Sequence, residues 1–466
     1  MSDKLPSGSL LTLILVFLAG LIDGLDVTIV SIGLPTMAHD FDISLSQSSW
    51  FIFSYVAALA AFLLPLGKRA KNNRVKRYMV LGTALFGFSS FMCGLSDSFW
   101  MLVAFRTIQG VAAAMMSSVL PSIIVHMLPV DRKGLGMSVL GASSAIAFII
   151  GPLIGGALLS FTTWHWMFFI NVPFCIVIVL LALKHLPADR TPDRDKDPTP
   201  LGGVSALVLI GSLLIFMEDQ GDPDINSLGR IICVVLIAVS AVALYYSIRR
   251  DTEKAIIAPK MLNREYNLVT MSFLLCTIVV AGAQYLLPYL LQQYYGLSTA
   301  VSGAYMAAMS VAMVIMVLPV GRMCDRYGCR TPVVIAVVAR ATFCALAILL
   351  TVETEEPLFM IPALVIFGIS HAFSGTAQPT RMIHHSTPGY EDESTNFMLV
   401  VNYVASSLGV VIFALLFGLF SPGNLEDLSG QAFLDGFLPT MWFSIIILAI
   451  ALVCTLVVKN KIVRKE

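Results

Sequence analysis

Long apolar runs follow one another along the whole chain and are separated by short polar connections. Because the hydrocarbon core of a bilayer is about 30 Å thick and an α-helix rises about 1.5 Å per residue, roughly 20 apolar residues are enough to cross it. The first run is longer than the apolar part of a cleaved signal peptide and its flank is weakly basic, so we expect it to be retained. The pattern predicts fourteen membrane-spanning helices, at about 10–38, 46–66, 78–96, 99–127, 134–160, 167–186, 201–217, 229–248, 266–290, 299–320, 331–351, 357–380, 394–420 and 436–458.

The composition of the 466-residue chain leads to the same class of protein. Hydrophobic residues make up 57% of the chain, charged residues only 12%, and the mean hydropathy is +0.85. These values lie far outside those of soluble domains and are typical of a protein that crosses a membrane many times. We therefore expect an all-α, multi-pass protein of the cytoplasmic membrane without a sizeable soluble domain.

The basic residues test this map, because the cytoplasmic loops of membrane proteins hold an excess of Lys and Arg. If the N-terminus and the even-numbered connections face the cytoplasm, 26 of the 29 basic residues fall on that side. A wrong number of spans would scatter them across both sides. The exceptions are Arg230 in a predicted outer loop, and Arg106 and Arg340 within spans. Both termini are therefore predicted to be cytoplasmic.

An internal repeat organises the predicted spans. Two similar cytoplasmic loops, residues 67–78 and residues 321–332, begin 254 residues apart, and the same offset brings spans one, four and five onto spans nine, twelve and thirteen. We predict a six-helix bundle in residues 1–186, a linker with two additional spans in residues 187–265, and a second six-helix bundle in residues 266–466. Repeats of six spans with a binding site between them are a recurrent design of secondary transporters.

The first span carries two aspartates, Asp23 and Asp26, although an ionisable side chain at the centre of a bilayer costs about 2.5 to 3.5 kcal/mol. Three residues apart on a helix, they lie on nearly the same face, which must point away from lipid. Arg106 is the only basic residue deep within the first six predicted spans, so it is their natural partner. A buried carboxylate beside a cation can hold or release a proton as its exposure changes. The alternative for each aspartate is a neutral acid that makes a packing hydrogen bond.

The loop of residues 321–330, GRMCDRYGCR, resembles the G-x-L-a-D-r-x-G-r-k signature of the major facilitator superfamily, with Met323 and Cys329 as departures. A carboxylate at a helix end can pair with arginines and accept bonds from backbone amides, and so hold two helices together. The alternative is a loop whose basic residues only set the topology. The resemblance implies a conformational gate formed by Gly321, Asp325, Arg326, Gly328 and Arg330.

The equivalent loop after span two departs from this signature. Lys71 stands where the aspartate belongs and Arg74 where the second glycine belongs, so we expect the gate contact to be degenerate there. The basic residues between 68 and 77 are either a topology anchor or a site for anionic lipid headgroups, at roughly 1 kcal/mol per cation.

Four stretches of the first half resemble the fourteen-spanner drug:proton antiporter family, in the family's order. Residues 25–35 resemble L-D-x-T-I-V-N-x-A-L-P, residues 106–110 R-x-x-Q-G, residues 151–156 G-P-x-x-G-G, and residues 164–173 W-R-W-x-F-x-I-N-V-P. The resemblance implies export in which Asp26 is the main proton carrier, Arg106 sets its proton affinity and Asp23 is a supporting acid. It also implies an antiporter hinge on span five, for which an inert packing groove is the alternative. The hinge residues are Gly151, Pro152, Gly155 and Gly156.

A substrate cavity is expected between the two halves, lined by polar and aromatic residues of otherwise apolar spans. Each candidate could equally face lipid or a neighbouring helix. Aromatic walls with few charges favour hydrophobic or cationic drug-like compounds. Spans nine to fourteen contain no acid near mid-membrane, which argues against a second carboxylate for dications. The candidates are Trp50, Phe53, Tyr55, Gln109, Gln284, Tyr285, His371 and Asn402.

These patterns predict a proton-coupled exporter that works by alternating access of two six-helix bundles. One alternative is a same-fold exporter of one specific metabolite, such as a peptide, siderophore or amino acid. A remote alternative is a membrane-embedded enzyme, although no nucleotide-binding glycine loop, H-E-x-x-H motif or nucleophile elbow occurs on a cytoplasmic loop.

The expected partners are a small-molecule substrate, protons and membrane lipids. We expect a monomer that binds no nucleic acid and uses no cofactor or metal beyond the proton gradient. The eight cysteines, including Cys324 and Cys329 in a cytoplasmic loop, are predicted to be reduced packing thiols.

Overall fold

A computed structural model describes residues 7–71, 74–128, 133–189, 200–218, 227–250, 261–354, 356–387, 391–421 and 430–459. Within these ranges the chain forms helices and no β-strand, as predicted for an all-α protein. Many large apolar side chains on these helices are exposed, for example Leu180 at 61% and Val239 at 61%. Exposed apolar faces of this kind suit helices that are surrounded by lipid rather than by water.

The described residues up to His185 form eight helices. The N-terminus of α5 is set by Ser98, whose side chain accepts a hydrogen bond from the backbone N–H of Met101 and so satisfies a free donor. The helices are α1 (Ser7–Asp40), α2 (Leu45–Ser48), α3 (Trp50–Lys71), α4 (Val75–Cys93), α5 (Phe99–Met127), α6 (Lys133–Phe161), α7 (Trp166–Phe169) and α8 (Asn171–His185).

Eight more helices lie in the remaining described residues, and two of them begin at a capping side chain. Asn263 and Ser298 cap α11 and α12 in the way that Ser98 caps α5, and α11 continues as a π-helical turn, Leu290–Tyr294. The helices are α9 (Pro200–Glu218), α10 (Ser227–Arg250), α11 (Arg264–Tyr289), α12 (Thr299–Tyr327), α13 (Arg330–Glu353), α14 (Met360–His385), α15 (Glu391–Phe420) and α16 (Gln431–Val457).

Of the described helices, ten are long and apolar enough to cross a membrane. Shorter apolar helical stretches occupy Trp50–Leu63, Leu201–Ser212 and Ile232–Ser247, and α4 lies where the third span is predicted. A helix therefore accompanies every predicted apolar run, while the number of fourteen spans and the side on which the termini lie stay predictions.

The chain divides into two compact units. The first comprises Met1–Gly33, Trp50–Leu213 and Ile232–Ile256, and the second comprises Leu34–Ser49, Leu214–Ile231 and Ile257–Glu466. Both aspartates of α1 and Arg106 belong to the first unit, whereas the loop of residues 321–330 belongs to the second. The predicted domain boundaries, after residues 186 and 265, stay predictions.

The second unit includes the connection that follows α1. Within this unit the Ser48 hydroxyl lies 2.5 Å from the Tyr289 hydroxyl and 3.3 Å from that of Tyr285. A buried cluster of apolar side chains joins α11, α14, α15 and the end of α16 elsewhere in the unit. Its members are Met261, Tyr266, Val269, Phe273, Met382, Val401 and Val458.

None of the eight cysteines, all of which lie in the described ranges, forms a disulfide. Cys233 and Cys454 are partly exposed, and the other six are buried, including Cys324 in the last turn of α12 and Cys329 between α12 and α13. Among the described residues, no group of three or more His, Cys, Asp or Glu side chains is placed to hold a metal ion.

Candidate functional site

Asp26 lies in the middle of α1 and is only 1% exposed. Three side chains donate hydrogen bonds to its carboxylate. Arg106 Nη1 lies 2.5 Å from Oδ2, while Gln109 Nε2 and Asn171 Nδ2 lie 2.8 Å and 3.0 Å from Oδ1. The carboxylate is therefore the point at which α1, α5 and α8 are joined, and its charge is balanced by a guanidinium instead of water.

Arg106 is fully buried on α5 and is fixed in several directions. Its Nε donates to the backbone carbonyl of Phe51 at 2.8 Å, and Nη1 also donates to Gln109 Oε1 at 2.9 Å. The guanidinium carbon lies 4.3 Å from the centroid of the Tyr55 ring, a distance typical of a cation–π contact. Its Nη2 has no hydrogen-bond partner in the described part of the chain. The structure thus pairs Asp26 with Arg106, as the sequence suggests.

Asp23 lies one turn before Asp26 and is half-buried. The Tyr55 hydroxyl donates to Asp23 Oδ1 at 2.8 Å, and the Ser117 hydroxyl donates to Oδ2 at 3.2 Å. Because the Tyr55 ring also covers Arg106, a single aromatic side chain connects the two aspartates. Asp23, Tyr55, Arg106 and Asp26 therefore form a continuous chain of contacts.

The predicted hinge of α6 packs directly on the part of α1 that carries these aspartates. Thr28 donates a hydrogen bond to the carbonyl of Ala147 at 3.3 Å, and Pro152 and Gly156 are also buried. A Cβ atom at Gly151 or Gly155 would collide with its neighbour on α1. Four contacts, each one turn apart on both helices, form the α1–α6 ladder: Gly20 with Ser143, Gly24 with Ala147, Thr28 with Gly151, and Ile32 with Gly155.

The predicted gate loop is described in part. Gly328 ends α12 with a positive φ of 78°, a conformation that glycine adopts without strain. Arg330 Nη2 donates to the carbonyl of Leu456 at 2.6 Å, so it satisfies the C-terminus of α16. Arg326 is exposed beside Tyr327, and Gly321 has open space around it. The side chain of Asp325 lies outside the described residues, so the predicted clasp stays a prediction.

Near the loop after α3, the carboxylate of Asp189 joins two helix ends, which is the role expected of the signature aspartate. The carboxylate of Asp189 accepts hydrogen bonds from the backbone N–H groups of Lys76 and Arg77, each at 2.9 Å, at the N-terminus of α4. Lys76 Nζ in return donates to the carbonyls of Leu183 and Leu186, at 2.7 Å and 2.8 Å. The ends of α4 and α8 are therefore joined although Lys71, whose side chain lies outside the described residues, replaces the signature aspartate.

The candidates for the substrate cavity are found in several environments. Trp50 is half-buried and packs edge-on against Phe53, with ring centroids 5.3 Å apart. Tyr55 and Gln109 are engaged with Asp23 and Asp26, and Tyr285 lies beside Ser48. Gln284, His371 and Asn402 are half-buried on α11, α14 and α15. Whether these residues contact a substrate stays a prediction.

Sequence reasoning gave no role to four residues at these sites. Asn171 and Ser90 were missed although Asn171 donates to both Asp26 and Ser90, the latter at 3.1 Å. Ser117 and Asp189 were missed as well. The only signal was for Asn171, which stands within the I-N-V-P part of a family motif. The others are ordinary polar residues that only the fold brings to their partners.

The model of the Major Facilitator Superfamily matches residues 16–414. The chain belongs to this superfamily. The match includes residues of both units, among them Asp26, Arg106 and the loop of residues 321–330. A transporter superfamily accounts for the helical architecture, and no relationship to an enzyme is found among these matches.

The protein is similar to several bacterial transporters. It is 26% identical over 443 residues to the multidrug efflux pump SdrM of Staphylococcus aureus (strain N315), covering 93% of this chain and 96% of that protein. It is 25% identical to the riboflavin transporter RibZ of Clostridioides difficile (strain 630), covering 87% and 88%. It is 29% identical to the multidrug export protein EmrB of Escherichia coli (strain K12), covering 67% and 61%.

Solved structures share the fold at low sequence identity. A bacterial homologue of the human lysosomal transporter Spinster superposes with a TM-score of 0.68 at 14% identity, covering 98% of both chains. A POT family transporter crystallised with a thioalcohol-conjugated peptide superposes with a TM-score of 0.71 at 12% identity, covering 96% of both chains. The protein is thus a multi-pass transporter of the cytoplasmic membrane.

Proposed function

We propose that this member of the superfamily exports hydrophobic or cationic drug-like compounds across the cytoplasmic membrane in exchange for protons. The observation that carries the proposal is the buried Asp26 carboxylate, which accepts hydrogen bonds from Arg106, Gln109 and Asn171. A charge of this kind is costly within a membrane and is retained chiefly where it moves ions or protons. Similarity to SdrM and EmrB, which are named as multidrug exporters, supports the substrate class.

In the proposed cycle, protonation of Asp26 removes the negative charge that holds Arg106. The guanidinium is then left without a charge partner in an apolar site, an arrangement that is strongly unfavourable. Rearrangement of α1 against α5 relieves this cost, and the α1–α6 ladder transmits the movement to the hinge glycines. Asp23, connected through Tyr55, serves as the supporting acid on the more exposed side. Proton release re-forms the pair and resets the transporter by alternating access.

Reconstituted vesicles with an imposed pH gradient test this proposal. Wild-type protein should drive uphill dye movement coupled to opposite proton flow, whereas Asp26→Asn should bind the dye and fail to couple its movement to protons. Asn keeps the size of Asp but cannot titrate. Asp26→Glu, which still titrates, should retain part of the coupling. Uphill export with proton exchange by Asp26→Asn would move the carrier role to Asp23, and its further loss in Asp23→Asn would establish that.

A second candidate is transport of one specific metabolite, which the similarity to a riboflavin transporter favours. Competition assays separate the two functions. A multidrug exporter should be inhibited by chemically unrelated dyes, while a narrow transporter should respond to flavin-like compounds and ignore the others. In either case we expect the proton gradient to supply the energy without a cofactor. We further expect the monomer in lipid to be the working unit, which mass measurement in nanodiscs checks.

A further inference from the structure

The second unit contains a buried cation, Arg340, that has no acidic partner among the described residues. Arg340 lies ten residues after the start of α13, which places it about 15 Å along the helix, near the middle of a bilayer about 30 Å thick. It is fully buried. Its partners are the carbonyl of Cys276 at 3.1 Å, the carbonyl of Ser370 at 3.3 Å and the hydroxyl of Ser374 at 2.7 Å. All three are uncharged, so a full positive charge remains.

This arrangement differs from that of Arg106 in the first unit, where Asp26 neutralises the guanidinium. Arg340 Nε has no hydrogen-bond partner among the described residues. The sequence supplies no Asp or Glu to the middle of the predicted spans from nine to fourteen. A neutral side chain would join the three helices at a lower desolvation cost, because burying a charge is expensive unless an opposite charge is paired with it.

Further polar groups surround Arg340 on one face of α14. His371, Ser374 and Gln378 recur at spacings of three and four residues, so they share this face. His371 interacts electrostatically with Arg340. The Gln378 amide is 1% exposed and interacts with the Cys276 thiol, and neither its oxygen nor its nitrogen has an oxygen or nitrogen partner in the described part of the chain. Together with Cys276, these residues form what we call the Arg340 cluster.

Open space lies beside the cluster at an exposed glycine of α14. Gly375, one turn after His371, is exposed. A Cβ atom placed on it would meet only the His371 ring, at 3.8 Å, within a radius of 4 Å. The missing side chain therefore leaves space directly beside the imidazole of His371.

We propose that the Arg340 cluster binds an anionic group, so that amphipathic organic acids with a carboxylate are transported in addition to the hydrophobic or cationic compounds of the proposed function. Guanidinium and carboxylate form strong charge-assisted hydrogen bonds, and the unpartnered Nε and the Gln378 amide supply donors for them. This inference rests on the proposed transport function and names a substrate class that the aromatic residues alone do not indicate.

Equilibrium binding to purified protein tests the inference without any gradient. Three matched aromatic probes are used: naphthoate, neutral naphthamide and naphthylmethylammonium. Wild-type protein in nanodiscs should bind naphthoate about tenfold or more tightly than naphthamide. Arg340→Gln should abolish this preference, whereas Arg340→Lys should keep most of it. Gly375→Leu should weaken naphthoate binding by filling the space beside His371, although it lies away from the guanidinium.

The measurements on wild-type protein decide the proposal even if a variant does not fold. Equal binding of the three probes by wild-type protein would overturn the proposal and leave Arg340 as a contact that joins three helices. If chloride stabilises the protein against unfolding and naphthoate binds no more tightly than naphthamide, the site belongs to a free inorganic anion instead. Because no pH gradient is applied, failure of proton coupling in the Asp26 variants does not affect this result, and the two proposals are tested separately.

Discussion

The pairing of Asp26 with Arg106 makes a quantitative prediction about stability. Asp26→Asn leaves the buried guanidinium without a negative partner, and breaking a buried ion pair on one side costs about 3–5 kcal/mol. The new amide still accepts one hydrogen bond, but it cannot accept from Gln109 and Asn171 with a full charge. Arg106→Gln should be similarly costly, because it leaves the Asp26 carboxylate buried and removes the donor to Phe51.

The double variant Asp26→Asn/Arg106→Gln should be more stable than the sum of the single losses implies. Removing both charges eliminates the uncompensated ion, since neutral replacements for a buried pair are often tolerated. We expect a favourable coupling energy of at least about 2 kcal/mol in the double-mutant cycle. The single variants should lower the unfolding midpoint by about 6–20 °C, from roughly 2–4 °C per kcal/mol for a bundle of this size.

The assay is thermal unfolding of purified protein followed by tryptophan fluorescence at one fixed heating rate. Asp189→Asn makes the same chemical change at an exposed helix end and should move the midpoint only slightly, because the charge there is screened by water. If the decreases in unfolding midpoint of the two single variants simply add in the double variant, the ion pair does not stabilise the first unit. Protonation of Asp26 would then not trigger the release of Arg106.

Two further predictions concern the surroundings of this pair, and a third concerns the loop of residues 321–330. Tyr55→Phe removes the hydroxyl that bonds Asp23 but keeps the ring over the guanidinium, so proton-driven transport should slow several-fold with little change in dye affinity; normal rates in vesicles would remove Tyr55 from the coupling path. Gly151→Ala should lower the free energy of unfolding by about 1–3 kcal/mol and block transport, because the added methyl group forces α6 away from α1. Gly141→Ala is the control on the same helix: it has open space around it, so it should be neutral or stabilising in thermal unfolding and leave vesicle transport intact. Asp325→Asn should fold normally and slow the conformational cycle, and unchanged transport would reduce that loop to a topology signal.

The sequence predicted the charged part of the site because charges in apolar runs are conspicuous. Asp26 and Arg106 are costly in lipid, so each required a partner, and few partners were available. The neutral part was not predictable in the same way. Asn171 lies 145 residues from Asp26 along the chain, and Ser117 lies 94 residues from Asp23. An uncharged polar residue in a span can bond its own helix, as Ser89 bonds the carbonyl of Leu85, so its presence does not identify a distant partner.

Tyr55 shows a related limit of sequence reasoning. An aromatic residue in an apolar span suggested a cavity wall, but the hydroxyl bonds Asp23 and the ring covers Arg106. Helices themselves were easier to foresee, since apolar runs of sufficient length have few other options in a membrane. The short helices α2 and α7, of four residues each, carry no periodic signal and were not anticipated.

The distribution of thiols makes the protein convenient for labelling experiments. Only Cys233 and Cys454 are partly exposed, and Cys324 and Cys329 are buried although the loop between their helices faces the cytoplasm in the predicted topology. Replacing these two partly exposed cysteines by serine should give a background that reacts slowly with charged maleimides in membranes. Single cysteines introduced in turn into the loops then report which side of the membrane each loop faces and how its accessibility changes when substrate is added, without rebuilding the six buried positions that support the helix packing.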